Sequence, residues 1–227
     1  MDEVGRYYEE LAPTYDASRF GNSYGAFIDR RERTILTAWL QGVPAAATLD
    51  AGCGTGRMLN FAQHGVDGSA NMIATARNKW PDRELVVSDM RKLPYAAATF
   101  DAVLCLHVFM HLCRADVARC VEEFRRVVKP GGTIVFDVPA AERRAFLRRQ
   151  RTSWHGGTAY AARELPTLAQ GMQIAAVTGL LTIPVHRVPP RWRVSLQSAD
   201  AWLGERMPRL ASYYMVRCHN LATPQGA

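Results

Sequence analysis

Apolar residues recur along the chain in two alternating rhythms. Over residues 23–41, Tyr24, Phe27, Ile28, Ile35, Leu36, Trp39 and Leu40 return at helical spacing, while Asp29, Arg30, Arg31, Glu32 and Arg33 fill the opposite face. This predicts a long amphipathic helix, preceded by a shorter one over 2–11. From residue 46 short apolar runs take over and predict strands near 46–51, 65–67, 84–88, 100–106 and 132–138. Helical stretches near 57–63, 69–79 and 114–128 lie between them, the last closed by Pro130, Gly131 and Gly132. Strand, helix and strand repeated in this way predict parallel strands with crossover helices on both faces of a sheet. Beyond Pro139 the pattern predicts a basic helix over 140–151, a Gly-rich loop over 153–157 and a helix near 160–169. Two apolar runs, 172–183 and 211–218, are expected to pair antiparallel, with a proline-marked surface excursion between them.

Composition narrows the class. With 227 residues, 48% hydrophobic and 22% charged, the chain has room for one sizeable core, which excludes a disordered chain or a disulfide miniprotein. No repeat or linker interrupts it, so a single domain over 1–227 is expected, divided into segments 1–42, 43–139 and 140–227. Five cysteines without a C-x-x-C pair signal neither a disulfide framework nor a metal site and point to a reducing, cytoplasmic compartment. The longest apolar stretch, 172–185, is too short for a membrane span and is interrupted by Gly179 and Pro184. The +7 charge belongs to the tail: residues 1–139 are net −1 and residues 140–227 net +8. No recognisable module interleaves aromatic residues with those arginines, so nucleic acid is not the expected partner.

The sharpest chemical feature is Leu49-Asp50-Ala51-Gly52-Cys53-Gly54-Thr55-Gly56-Arg57, a strand ending in a G-x-G-x-G turn. A dinucleotide fingerprint would need its third glycine at position 57, which is Arg57. Asp50 before the glycines would repel a pyrophosphate, so a cationic ligand is the better match. Asp67, at the end of the second strand and followed by Gly68 and Ser69, stands where a carboxylate grips the hydroxyls of a ribose. Gly56 and Asp67 are only 11 residues apart, where such folds carry about 20. The first crossover is therefore expected to be truncated.

Four segments, LDAGCGTGR (49–57), GVDGSANMIATAR (65–77), VVSDMRKLPYAAATFDAVLCLHVFMHL (86–112) and FRRVVKPGGTIVF (124–136), resemble in order the motifs of the class I S-adenosylmethionine-dependent methyltransferases. The resemblance runs from Tyr7 to Asp137. It implies a Rossmann-like, doubly wound α/β fold with a seven-stranded sheet in the order 3-2-1-4-5-7-6, strand 7 antiparallel. It also implies S-adenosyl-L-methionine as cofactor and S-adenosyl-L-homocysteine as product. Gly52, Gly54 and Gly56 with the Cys53 backbone would flank the methionyl part, and Asp50 would help hold its ammonium. Asp67, with Gly68 and Ser69, would bind the ribose; Asp89 and the Met90 N–H would meet the adenine, and Leu106 would offer its carbonyl.

The lead-in through Tyr7-Tyr8 and Ala12-Pro13-Thr14-Tyr15-Asp16 resembles that of methyltransferases acting on small molecules, including those of quinone biosynthesis, where it forms a lid. On that likeness residues 1–42 form the lid, 43–139 the cofactor-binding core and 140–227 the region completing the substrate pocket. Tyr15 and Arg19 would pack over the cofactor, and Tyr24 would border the substrate. His107, where the fourth strand meets the cleft, is the candidate general base, and His111 one turn on braces the loop. His155 and Tyr160 fall where the family builds its substrate pocket. The asparagine-proline-proline-aromatic motif of adenine and amide N-methyltransferases is missing after the fourth strand. The reading is a methyltransferase acting on an O, N or activated C nucleophile of a small-molecule metabolite, as in secondary metabolism, and working as a monomer or homodimer. The alternatives are an RNA-directed methyltransferase and a non-catalytic S-adenosylmethionine-binding regulator.

Overall fold

Three helices precede the first strand: α1 (Glu3–Leu11), α2 (Tyr15–Arg19) and α3 (Ser23–Trp39), the last capped by the Asn22 side chain, which accepts from the Tyr24 and Gly25 N–H groups. The structure is a computed structural model that describes residues 3–146 and 158–221. Then come β1 (Thr48–Ala51), β2 (His64–Asp67), α4 (Ala70–Lys79), β3 (Glu84–Val87), β4 (Phe100–Cys105), α5 (Arg114–Val127) and β5 (Val128–Pro139). The chain continues through α6 (Ala141–Phe146), α7 (Leu165–Leu168), β6 (Met172–Leu180), α8 (Pro190–Arg193), α9 (Gln197–Arg206) and β7 (Tyr213–Asn220). The seven strands of the described residues join one sheet in the order β3-β2-β1-β4-β5-β7-β6. β7 runs antiparallel to both its neighbours and every other pair is parallel, as the motif resemblance implied.

Helices cover both faces of the sheet, which is why β1 and β4 are buried along nearly their whole length. On one face α5 lays Val117, Cys120, Val121 and Phe124 against Phe109, Phe136 and Val138. On the other, Ile35 and Leu36 of α3 meet Ala102, Leu104, Val135 and Met215. The excursion between β6 and β7 carries α8 and α9, and α9 packs along β6.

One expected helix is absent and another is short. The stretch near 57–63 is a series of turns, so β1 leads into no helix N-terminus, and the first crossover is shorter in structure than even its spacing implied. A dozen residues between Ala51 and His64 is about the minimum for a parallel crossover, which leaves none to coil. Carbonyls that a helix would pair internally go to side chains instead. Trp80 Nε1 donates to the Gly56 carbonyl at 2.9 Å, Arg33 Nη2 to that of Arg57 at 2.6 Å and Arg83 Nε to that of Leu59 at 3.0 Å. The helix expected near 160–169 is a 3₁₀ turn, Ala162–Glu164, followed by the short α7. Of the basic helix expected over 140–151 only α6 is described; the Gly-rich loop, with His155, lies outside the described residues. All five cysteines are free, and among the described residues no helix is long and apolar enough to cross a membrane and no side-chain cluster could hold a metal.

Candidate functional site

At the sheet's switch point, where the chain leaves β1 toward β2 and leaves β4 toward β5 on the opposite side, the carboxyl ends of the strands diverge and open a crevice. It holds a cleft of about 570 Å³. Gly52, Gly54, Asp67, Gly68 and Ser69 line it on the β1–β2 side, and Asp89, Met90, Leu106 and His107 on the β3–β4 side. Gly5, Tyr8 and Tyr15 of the N-terminal helices close it from above. Those helices are tied to its rim: Glu9 accepts from Ser69 Oγ and the Asn71 N–H, and Asp16 accepts from Thr55 Oγ1 and from Lys79 Nζ at 2.5 Å each.

The glycine turn tells what kind of ligand the cleft takes. Gly52, Gly54 and Gly56 have φ of +78°, +52° and +83°, a conformation in which a side chain is strained. The N–H groups of Gly52 and Cys53 both donate to the Val66 carbonyl, at 2.7 and 2.9 Å, and that of Gly54 donates to Asp67 Oδ2 at 2.9 Å. The amides that would cradle a phosphate are therefore engaged within the protein. What the turn shows the cleft instead is carboxylate. Asp67 is fixed from two sides, its Oδ1 accepting from the Ser69 N–H at 2.9 Å, and each oxygen keeps capacity for a further donor. Burial raises the Asp67 pKa against those N–H bonds. Asp50 lies buried beneath the turn and off the cleft lining, and burial pushes its carboxyl up to about 7. A ligand bearing hydroxyl donors and a cation suits this end.

A Cβ on Gly52 would run into the Val108 side chain. Gly52→Ala should therefore narrow the cleft and cost about 1–3 kcal/mol of stability, measured by urea unfolding. Stability equal to wild type would show that this turn relaxes freely.

At the far end Asp89 is clasped by Arg91, whose Nη2 lies 2.7 Å from Asp89 Oδ2 and whose Nε reaches both carboxylate oxygens at 3.0 Å. These bonds, opposed by slight burial, lower the Asp89 pKa and keep it an anion. Arg91 also reaches Asp116 at 3.1 Å, so an adenine amino group would share Asp89 with an established partner.

His107 departs furthest from expectation. Its φ is +60°, a strained backbone held because its N–H donates to Asp137 Oδ1 at 2.7 Å. The ring Nε2 sits 2.6 Å from Glu32 Oε1, and Nδ1 lies 4.0 Å from Asp137 Oδ2. Glu32, fully buried, is also paired with Arg57 at 2.8 Å, and Arg57 with Asp29 at 2.9 Å. Burial works against the Glu32 charge, but the His107 and Arg57 cations outweigh it and hold its pKa at about 2. Burial likewise opposes the His107 cation, and Glu32 and Asp137 outweigh it, raising the pKa. The Glu32 pair thus favours the protonated ring, which works against the free-base role expected of this position.

Other expected residues stand apart from the cleft. Cys53 packs beside Leu59 and Ile73 in the core, and Gly56 sits under Trp80. Arg19 turns to the Tyr7 hydroxyl at 2.6 Å, and Tyr24 packs with Phe27 and Val185. Tyr160 is buried with Arg114 stacked 4.4 Å above its ring. Two further residues belong to the site: Tyr8, whose hydroxyl meets His111 Nε2 at 2.8 Å over the cleft, and Glu32 behind it. The Tyr7-Tyr8 pair was visible in the lead-in; a glutamate amid the polar face of α3 carries no local sign of its burial.

The family described as "Methyltransferase domain" matches residues 49–136. The chain is 32% identical over 145 residues to a tRNA (carboxymethyluridine(34)-5-O)-methyltransferase of Arabidopsis thaliana, covering 61% of this chain and 33% of that protein. It is 30% identical over 140 residues to a demethylmenaquinone methyltransferase of Renibacterium salmoninarum, covering 59% and 57%. The matched part thus spans well under two thirds of the length of these relatives. Among solved structures, the CcbJ methyltransferase from Streptomyces caelestis superposes with a TM-score of 0.70 at 17% identity, over 97% of this chain and all of that one, a likeness of fold.

Proposed function

We propose that the chain is a class I S-adenosylmethionine-dependent methyltransferase, which its domain match, relatives and sheet order support, and that it moves a methyl group from S-adenosylmethionine to an oxygen, nitrogen or activated carbon of a small metabolite. The observation that carries this reading is the glycine turn, with its amides engaged and Asp67 fixed beside it, at the switch-point end of a cleft large enough for a nucleoside joined to an amino acid. When bound, S-adenosylmethionine supplies a methyl already activated on a sulfonium.

The chain's own part is then to bind, orient and exclude water. Gly52 and Gly54 border the methionyl end, Asp67 accepts from the ribose hydroxyls, and Asp89, the Met90 N–H and the Leu106 carbonyl frame the adenine. Tyr8 and Tyr15 on the N-terminal helices act as the lid. His107, held against Glu32 at the cleft wall, has its protonated form favoured, which works against its abstracting a proton. Alignment of acceptor and methyl thus supplies the acceleration, as suits a reaction whose leaving group needs no further activation.

Incubating the protein with methyl-labelled S-adenosylmethionine and a cell metabolite extract, followed by mass spectrometry, should yield a labelled small molecule. Label confined to RNA would replace this reading with a nucleic-acid substrate, and tight cofactor binding without any transfer would leave a regulator.

A further inference from the structure

The excursion between β6 and β7 gathers most of the large apolar side chains that the described residues leave exposed: Trp192, Val194, Trp202, Met207 and Leu210. Both tryptophans are more than half exposed. From Pro190 to Arg206 the backbone is one unbroken helical run, α8 passing through a 3₁₀ turn into α9. At 3.6 residues per turn, Trp202 centres its outward face, with Arg191, Val194 and Arg206 around it.

The inward face is anchored. Asp200 Oδ1 accepts from the Ile183 N–H at 2.8 Å, its other oxygen lies 3.9 Å from Arg31 of α3, and Gly204 sits so close to the Gly179 backbone that no Cβ would fit. Held on this side, the run leaves its outward side chains to solvent, an arrangement that suits contact with something beyond the chain.

Charge says what that is. Arg187, Arg191, Arg206 and Arg209 are exposed on this excursion, and Glu205 is its only exposed acid. Arg191 lies 5.9 Å from the Trp192 ring and Arg206 4.9 Å from that of Trp202. Arginine beside exposed tryptophan serves either nucleic acid or the headgroup layer of a bilayer. Val194, Met207 and Leu210 favour the second: phosphates and base edges leave clustered aliphatic side chains largely unburied, whereas the acyl boundary of a bilayer buries them.

We propose that residues 190–210 dock the protein on an anionic lipid surface, arginines on the headgroups and Trp202, Val194, Met207 and Leu210 in the interface. This goes beyond the methyltransferase reading and does not depend on it. Co-sedimentation of the full chain with phosphatidylcholine vesicles, with and without phosphatidylglycerol, tests it. Binding should require the anionic lipid and weaken as salt rises. The double variants Trp192→Ser/Trp202→Ser and Arg191→Glu/Arg206→Glu should each lower partitioning at least about tenfold while circular dichroism stays that of wild type.

If a variant misfolds, the wild-type protein decides, because brominated acyl chains should quench its tryptophan fluorescence. Failure to sediment with anionic vesicles, full binding by both folded variants, or no quenching would each overturn the proposal. So would binding to an RNA oligonucleotide at physiological salt that anionic vesicles fail to displace.

Discussion

Asp67→Ala is expected to weaken S-adenosylhomocysteine binding by about 30- to 1000-fold, equivalent to about 2–4 kcal/mol, the sum of two charge-assisted hydrogen bonds to ribose hydroxyls. The size follows from how the carboxylate is held. Backbone N–H groups of Gly54 and Ser69 fix both oxygens before any ligand arrives, so no ordering cost offsets the gain. Because those N–H groups lose their acceptor in the alanine variant, Asp67→Asn is the companion. It keeps one acceptor oxygen for the turn while removing the charge. Both should lose affinity for the nucleoside ligand, whereas any heat of binding free methionine, which has no ribose, should be unchanged. Calorimetry on protein shown to be folded by its melting curve distinguishes this from general damage, and an unchanged dissociation constant in a folded variant would remove Asp67 from the site.

Glu32→Gln should destabilise the fold by about 3–5 kcal/mol, because it strips a buried pair of one partner and leaves His107 and Arg57 facing a neutral amide. Its pH dependence is specific. Glu32 has its folded pKa depressed to about 2 from an ordinary 4.5, so its contribution is complete above 4.5 and is lost as pH falls toward 2. His107 has its folded pKa raised above an ordinary 6.5, so its contribution is complete below 6.5 and is lost as pH rises through the raised value. The pair therefore stabilises most between pH 4.5 and 6.5. Urea unfolding across that range should show the largest difference between wild type and variant inside this window and a shrinking one on either side. Equal stability within it would mean that the pair merely balances its desolvation.

The contrast between these two residues explains how much could be read from the chain. Asp67 was legible because its signals are local: a short apolar run, an acid at its end, and a glycine and serine opening the next helix. The sheet order was legible through the same means, since each strand and crossover announces itself over ten or so residues and the ordered motifs supplied the topology. Glu32 was not, because its partner lies 75 residues away and only the packing of α3 over the sheet brings them together. His107 was therefore placed at the cleft, while the Glu32 pair that favours its protonated form was out of reach of the sequence. The missing helix near 57–63 fails for a related reason. Met58, Leu59, Phe61 and Ala62 have an apolar pattern that fits a helix, yet the distance the crossover must span overrides it, and Trp80, Arg33 and Arg83 arrive from elsewhere to take the free carbonyls.

The central claim is that the switch-point cleft binds S-adenosylmethionine, and titrating the wild-type protein with S-adenosylhomocysteine in a calorimeter tests it most directly. Saturable binding of one ligand per chain, with no comparable affinity for a pyrophosphate-bridged dinucleotide, is the expected result, since the turn offers carboxylate and engaged amides where a dinucleotide needs free N–H groups. Absence of saturable heat with folded protein, or binding of the dinucleotide as tight as that of S-adenosylhomocysteine, would contradict it.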